Sequence, residues 1–204
     1  MASRGQELRW VLRAQSGDAD ALNALLESIQ EPLYGYILSL VRDPHRAQDT
    51  LQDVLVLVIR KLYWLREPSL FRPWVYRIAS RESFRCLRRE QRMAVRTEDE
   101  SLLQAIADEP PEDRADPELL QLLPALLEQV SPASRAVLSL HYLKGMTLRE
   151  VADVLEISLG AAKARLGYGL ATLREKMGLA PPPRRVNPAE AGADRSQGVA
   201  PLTG

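Results

Sequence analysis

The run Thr147-Leu148-Arg149-Glu150-Val151-Ala152-Asp153-Val154-Leu155 leads through Glu156-Ile157-Ser158 into Leu159-Gly160-Ala161-Ala162-Lys163-Ala164-Arg165-Leu166. Thr147 stands three residues before Glu150, the spacing of a capping box, so a helix starts here. Leu148, Val151, Ala152 and Leu155 then fall on one helical face. Glu156-Ile157-Ser158 breaks the period, and Ser158 is a good N-cap for a second helix running to about residue 173. Leu148, Val151, Ala152, Leu155, Ile157, Ala162 and Leu166 form the small core such a pair needs, with Ala152 small where two helices cross. This is a helix-turn-helix pattern, whose second helix enters a DNA major groove by its N-terminal end. Gly160, Ala161, Lys163, Ala164 and Arg165 would face the groove, and Arg149 is placed for a phosphate. An ordinary helical hairpin satisfies the same apolar pattern.

Outward from this motif the sequence is helical nearly throughout. Ser131-Pro132 opens a helix upstream, with proline at its favoured first position. Residues 94–117 are acidic and contain Pro110, Pro111 and Pro117, so they are expected to be a flexible linker. Fully stretched, about 25 residues span ~80 Å, more than two turns of B-form DNA at ~34 Å each. The tail, 179–204, contains Pro181-Pro182-Pro183, is rich in Gly, Pro, Ala and Arg, and is expected to be disordered.

On the N-terminal side, residues 1–16 are an extension and helices begin at Gly17. Asp18 or Asp20 caps the first, through about Ile29, and Pro32 starts a second through Val41. Asp43-Pro44 marks a break. Residues 45–65 form a third: Val54-Leu55-Val56-Leu57-Val58-Ile59 alone could be a buried strand, but Leu51, Val54, Leu55, Val58, Ile59 and Leu62 keep helical spacing for three turns. Its apolar surface is wider than one face needs. Residues 67–69 are a loop, and a fourth helix runs from about 71 to 92 with Trp74, Val75, Ile78 and Leu87 inward. The expected fold is all-α: two small helical domains, 17–93 and 118–178, joined by the acidic linker, the second a helix-turn-helix.

Formal charge is zero, but its distribution is segregated. Residues 66–96 carry nine Arg against three Glu, and residues 97–118 carry nine acids against Arg114. Arg77, Arg81, Arg85, Arg88 and Arg92 are spaced four, four, three and four apart and share one helical face. A solvated face would normally mix signs, and a row of like charges repels unless a polyanion lies alongside. Trp64, Phe71, Trp74 and Tyr76 lie near the start of that helix, where aromatic rings could stack on unpaired bases, although Trp74 also fits a core. Asp49-Thr50-Leu51-Gln52-Asp53 presents polar residues beside an apolar face, which solvation alone would explain.

Other functions find little support. A single cysteine, Cys86, excludes an internal disulfide framework and a cysteine-rich zinc site, and the two histidines, His45 and His141, are far apart in sequence. There is no glycine-rich phosphate loop and no His/Cys/Ser constellation, so neither an enzyme, a cofactor nor a small-molecule substrate is expected. No stretch reaches the ~18 apolar residues of a membrane helix, and residues 1–10 lack the apolar core of a signal peptide, which points to the cytoplasm.

Two sets of motifs carry a family resemblance. Ala47-Gln48-Asp49-Thr50-Leu51-Gln52-Asp53-Val54, then Phe71-Arg72-Pro73-Trp74-Val75-Tyr76-Arg77-Ile78-Ala79 and Arg85-Cys86-Leu87-Arg88-Arg89, resemble the second conserved domain of extracytoplasmic-function (ECF) sigma factors of the sigma-70 family. Met146 to Ala152 and Gly160 to Leu166 resemble their fourth. The resemblance implies a non-enzymatic protein that directs RNA polymerase to promoters. Asp49, Gln52 and Asp53 would then dock on the β′ clamp helices of core polymerase, whose β flap is a further expected contact. The 65–70 loop with Trp74, Arg77, Ser80, Arg81, Arg85 and Arg88 would capture the melted −10 element, an extruded base being read in a pocket. Arg149, Ser158, Gly160, Ala161, Lys163, Ala164 and Arg165 would read the −35 element. An anti-sigma factor is the implied regulator.

The sequence departs from the family pattern in places. Ser80-Arg81 stands where a basic residue and Asn are usual. Gly167-Tyr168-Gly169 replaces the basic continuation of the recognition helix, and each glycine costs a helix about 1 kcal/mol relative to Ala, so weak or atypical −35 binding is expected. A sigma-like decoy for an anti-sigma factor would tolerate that weakness. A helix-turn-helix repressor would account for residues 147–170 but leave the first domain without a role.

Overall fold

The computed structural model describes residues 4–94 and 126–179. The acidic linker, the start of the second domain through residue 125 and the C-terminal tail lie outside the described residues, apart from Ala94 and Leu179 at their edges. All regular structure among the described residues is helical.

The first unit has four helices: α1 (Arg4–Gln15), α2 (Ala19–Val41), α3 (Pro44–Lys61) and α4 (Phe71–Ala94). Helix α1 corrects the expectation that residues 1–16 merely precede the domain. Glu7, Val11 and Ala14 recur at helical spacing and are buried against the unit. Gly17 turns the chain with φ +90, and Asp18 caps α2 by accepting the Ala21 N–H at 3.0 Å.

Helix α2 also departs from expectation, because it runs through Pro32 instead of restarting there. A proline inside a helix costs about 3 kcal/mol through its missing N–H and its clash with the preceding turn. The apolar stripe Ala21, Leu25, Ile29, Leu33, Tyr36, Ile37 and Leu40 continues across it, and all seven are buried. Burying each large side chain contributes ~1.5–3 kcal/mol, so the stripe outweighs the proline. Arg42 ends the helix in the left-handed conformation, φ 64, its N–H on the Leu38 carbonyl.

Asp43 caps α3 through the Arg46 N–H at 2.9 Å, with Pro44 at the first position. The run 54–59 is helical: Val54 and Val58 are buried, while Val56 and Ile59 are exposed. Short 3₁₀ turns at Leu62–Trp64 and Pro68–Leu70 then lead to α4. Tyr36 closes the core from α2, its hydroxyl 2.7 Å from Ser80 Oγ and its ring edge-on to Tyr76 at 5.4 Å. Burial pushes the Tyr36 phenol above its ordinary range and that of Tyr76 up to about 12.

The second unit contains α5 (Pro132–Leu138), a π-helical turn Ser139–Leu143, α6 (Leu148–Leu155) and α7 (Leu159–Lys176). Its caps are the expected ones. Ser131 accepts the Ser134 N–H, Thr147 and Glu150 form the reciprocal box, and Ser158 accepts the Ala161 N–H at 3.0 Å. Helix α7 continues through both glycines of 167–169. Gly169 is buried where α7 crosses α5: a Cβ there would lie 2.8 Å from Leu138 Cδ1 and 3.3 Å from Ser134 Cβ. The lost helix propensity is exchanged for a close helix crossing.

The two units touch, α5 lying against α2 and α6 against α4. Arg135, 3% exposed, reaches from α5 to the last carbonyls of α2, donating to Ser39 O at 2.9 Å and Leu40 O at 3.3 Å. Its other terminal nitrogen donates to Val130 O at 2.7 Å.

Candidate nucleic-acid interface

Helix α4 presents the basic face. Arg81, Arg85 and Arg88 are exposed and Arg77 is half-buried. The Arg77 Nε is buried without a hydrogen-bond partner, and Arg85 reaches Glu82 at 3.0 Å. Arg81 does not stand free. Its guanidinium grips Glu156 of the second unit with two hydrogen bonds, one from Nε at 2.9 Å. Glu156 takes the left-handed position, φ 56, that ends α6. Arg81's hydrogen bond, with weaker fields from Arg81 and Arg77, holds the Glu156 carboxyl below its ordinary value. A carboxylate from the helix-turn-helix thus occupies part of the arginine row, supplying locally the anion that such a row attracts.

Two expected members of this face lie elsewhere. Ser80 is 2% exposed and its hydroxyl is bonded to Tyr36 and to the Tyr76 carbonyl. It supports the helix from inside, because a step of one residue from Arg81 turns it about 100° toward the core. Trp74 is half-buried beside Phe71, ring centroids 6.1 Å apart. Of the four aromatics singled out in the sequence, Phe71 and Tyr76 are core residues and Trp64 is 82% exposed. Tyr63, 70% exposed beside it, escaped notice because hydrophobic periodicity marks what is buried and gives no signal for an aromatic side chain left in solvent.

Asp49, Gln52 and Asp53 are all exposed on α3. The helix divides them. Asp49 and Asp53 border a groove toward α4 with Arg46, Arg85 and Arg89, while Gln52 borders a groove toward α2 with Glu31, Tyr34 and Leu55. Arg46 pairs across the first groove with Glu90.

In the helix-turn-helix, Arg149, Ser158, Gly160 and Lys163 are exposed, and Ala161, Ala164 and Arg165 are half-buried. Burial draws the Arg165 guanidinium below its ordinary value, which still leaves it charged. Ser158 Oγ is engaged as the α7 cap. No group of three or more His, Cys, Asp or Glu among the described residues could hold a metal ion. None of their helices is long and apolar enough to cross a membrane.

The Sigma-70 region 2 family matches residues 25–93, and Sigma-70, region 4 matches residues 126–175. The ECF RNA polymerase sigma factor SigK of Mycolicibacterium vanbaalenii is 32% identical over 170 residues, covering 80% of this chain and 85% of that one. The RNA polymerase sigma-H factor of Pseudomonas aeruginosa is 27% identical over 177 residues, covering 81% and 91%. Among solved structures, CnrH in complex with the cytosolic domain of CnrY aligns with a TM-score of 0.61 at 23% identity, covering 85% of this chain and 97% of that one. RpoE in complex with the anti-sigma factor NepR, from Bartonella quintana, aligns at 0.59 and 20% identity, covering 78% and 98%. At these identities the structures speak for the fold alone.

Proposed function

Because the chain belongs to the ECF group of the sigma-70 family, we propose that it directs core RNA polymerase to promoters, with the α4 arginine face and the adjacent exposed aromatics receiving the melted −10 strand. The observation that carries this assignment is the exposure of Arg81, Arg85 and Arg88 on one face of α4 and of Tyr63 and Trp64 in the segment that leads into that helix. Arginines on one line neutralise successive phosphates, while an aromatic face stabilises an unstacked base by ~1–3 kcal/mol. That combination favours separated strands over duplex, which is the work an initiation factor must do by binding. It needs no catalytic group in this chain.

The N-terminal end of α7, with exposed Gly160 and Lys163 and half-buried Arg165, is the proposed −35 reader, supported by Arg149 on a phosphate. Asp49, Gln52 and Asp53 are proposed as the polymerase-docking set, and their division between two grooves gives them two flanks of one partner to hold. Ser80 acts in this scheme by fixing α4 against Tyr36. Engaging a promoter exchanges Glu156 for phosphate at Arg81. By analogy with the NepR complex of RpoE, an anti-sigma factor is the proposed regulator.

Run-off transcription with core polymerase on promoter-bearing genomic fragments tests the reading, comparing the intact protein with Arg81→Ala/Arg85→Ala. Specific initiation that collapses in the double variant is expected. Absence of initiation by the intact, folded protein, with core polymerase active on another sigma factor, would overturn it.

A further inference from the structure

The segment between α3 and α4 is held from outside by a helix that precedes the region 2 match, which starts at residue 25. Gln15 is the last residue of α1, and its side-chain Nε2 donates to two carbonyls, Leu62 O at 2.9 Å and Leu65 O at 2.8 Å. Those carbonyls bracket the 3₁₀ turn that carries Tyr63 and Trp64. The Leu65 N–H also returns to Leu62 O at 3.1 Å, so the amide closes over a turn already folded on itself. Leu62 O, already bonded to the Leu65 N–H, thus gains a second donor in Gln15, and Leu65 O accepts from the same amide.

The other end of the segment is tied to the same helix. Glu7, 6% exposed, accepts a hydrogen bond at 2.7 Å from Arg72 Nε, at the second position of α4 and just past the 3₁₀ turn Pro68–Leu70. Glu7 and Gln15 are two helical turns apart, about 12 Å at 1.5 Å per residue. Helix α1 therefore spans residues 62–72 like a brace, bonded at both ends. Between these ties Tyr63, Trp64 and Leu70 are exposed by 70%, 82% and 52%. A fixed backbone presenting large apolar groups to solvent lowers the ordering cost of whatever binds them.

We infer that Gln15 is a positioning residue for strand capture: it holds the 62–65 turn so that Tyr63 and Trp64 meet unpaired bases. The inference rests on the promoter-directing reading above and adds a residue outside both family regions. It is distinct from a general stabilising role, because the two bonds converge on one short turn that Leu62 roots in the core while Tyr63 and Trp64 stand in solvent.

The test uses the full chain with core polymerase on a promoter recovered by run-off transcription. Gln15→Glu keeps the length but places a carboxylate against two carbonyls. Gln15→Ala removes the contact, and Gln15→Lys restores a donor. Permanganate reactivity of the melted thymines measures opening, fluorescence anisotropy measures affinity for core polymerase, and thermal melting monitors the fold. Opening is expected to fall ~10-fold in Gln15→Glu and Gln15→Ala, the effect of about one net hydrogen bond. Core affinity should stay within about twofold, and Gln15→Lys should recover most of the opening. Trp64→Ala should reproduce the opening defect. Wild-type opening by Gln15→Glu, or opening and core affinity falling together, overturns the inference. Failure of the wild-type protein to initiate would instead remove the reading beneath it, and this inference with it.

Discussion

Arg135 and Arg81 both reach from one unit to the other, and their surroundings differ in every respect that sets the strength of a contact. Arg135 is 3% exposed and donates to the backbone at the C-terminal end of α2, where the carbonyls lack helical partners and the helix dipole favours a cation. Arg81 pairs with Glu156 at side-chain exposures of 58% and 48%. The first contact resembles a core interaction and cannot be traded for one with a solute. The second lies in solvent, is screened by salt, and offers to another anion what it now gives Glu156. Two units held this way can keep their seat while the Arg81–Glu156 contact opens, or part altogether only by exposing Arg135.

The largest effect is expected from Arg135→Ala, which leaves buried carbonyls without a donor and should destabilise the protein by ~2–4 kcal/mol in urea denaturation. Desolvation lowers the Arg135 pKa, but arginine stays charged at any working pH, so this loss should not vary with pH. A loss equal to that from removing Glu156 would erase the difference between the two contacts.

Gly169→Ala comes next, because it disturbs the α5 seat on which Arg135 depends. The added methyl would meet Leu138, which is fully buried. Overpacking of this kind costs ~1–3 kcal/mol, against about 1 kcal/mol gained in helix propensity. A net destabilisation is expected by thermal melting. Gly160→Ala, whose methyl would find only Ser158 Oγ at 3.8 Å, should be neutral or slightly stabilising; equal effects at the two positions would refute the packing account of Gly169.

Thr147→Ala removes the cap of α6, the helix that delivers Glu156, and should cost about 1 kcal/mol.

The smallest stability change belongs to Glu156→Gln, at most ~0.2–1 kcal/mol for so exposed a pair. Its effect on binding is more telling: affinity for a nonspecific DNA duplex should rise roughly two- to fivefold, most clearly at low salt. The wild-type contact should also respond to acid. Arg81 lowers the Glu156 pKa below its ordinary 4.5, so the contribution is complete above that value and fades as pH falls through the lower, folded one. Unchanged DNA affinity in Glu156→Gln would show that Arg81 gains nothing by release.

Much of the fold was legible because its signals are local. The caps at Ser131, Thr147 and Ser158 lie within three residues of the groups they satisfy, and the helical character of 54–59 follows from spacing alone. The arginine row was readable for the same reason. Helix α1 was not, because its buried face is short and includes Glu7, whose burial is explained by Arg72, 65 residues away. Pro32 looked like a boundary because propensity favours one there, and only packing reverses it. The motif places Ser80 among the DNA contacts, but Tyr36 from another helix claims its hydroxyl.

By itself, then, the sequence determined most of the helices, their caps and the segregation of charge, since these depend on hydrogen bonds and periodicities spanning a few residues. Tertiary structure alone decided which polar groups are free to meet a partner. Gln15 is committed to carbonyls 47 and 50 residues away, and Arg135 to one 96 residues away. A side chain's availability depends on what the fold packs against it, and no local pattern encodes that neighbour.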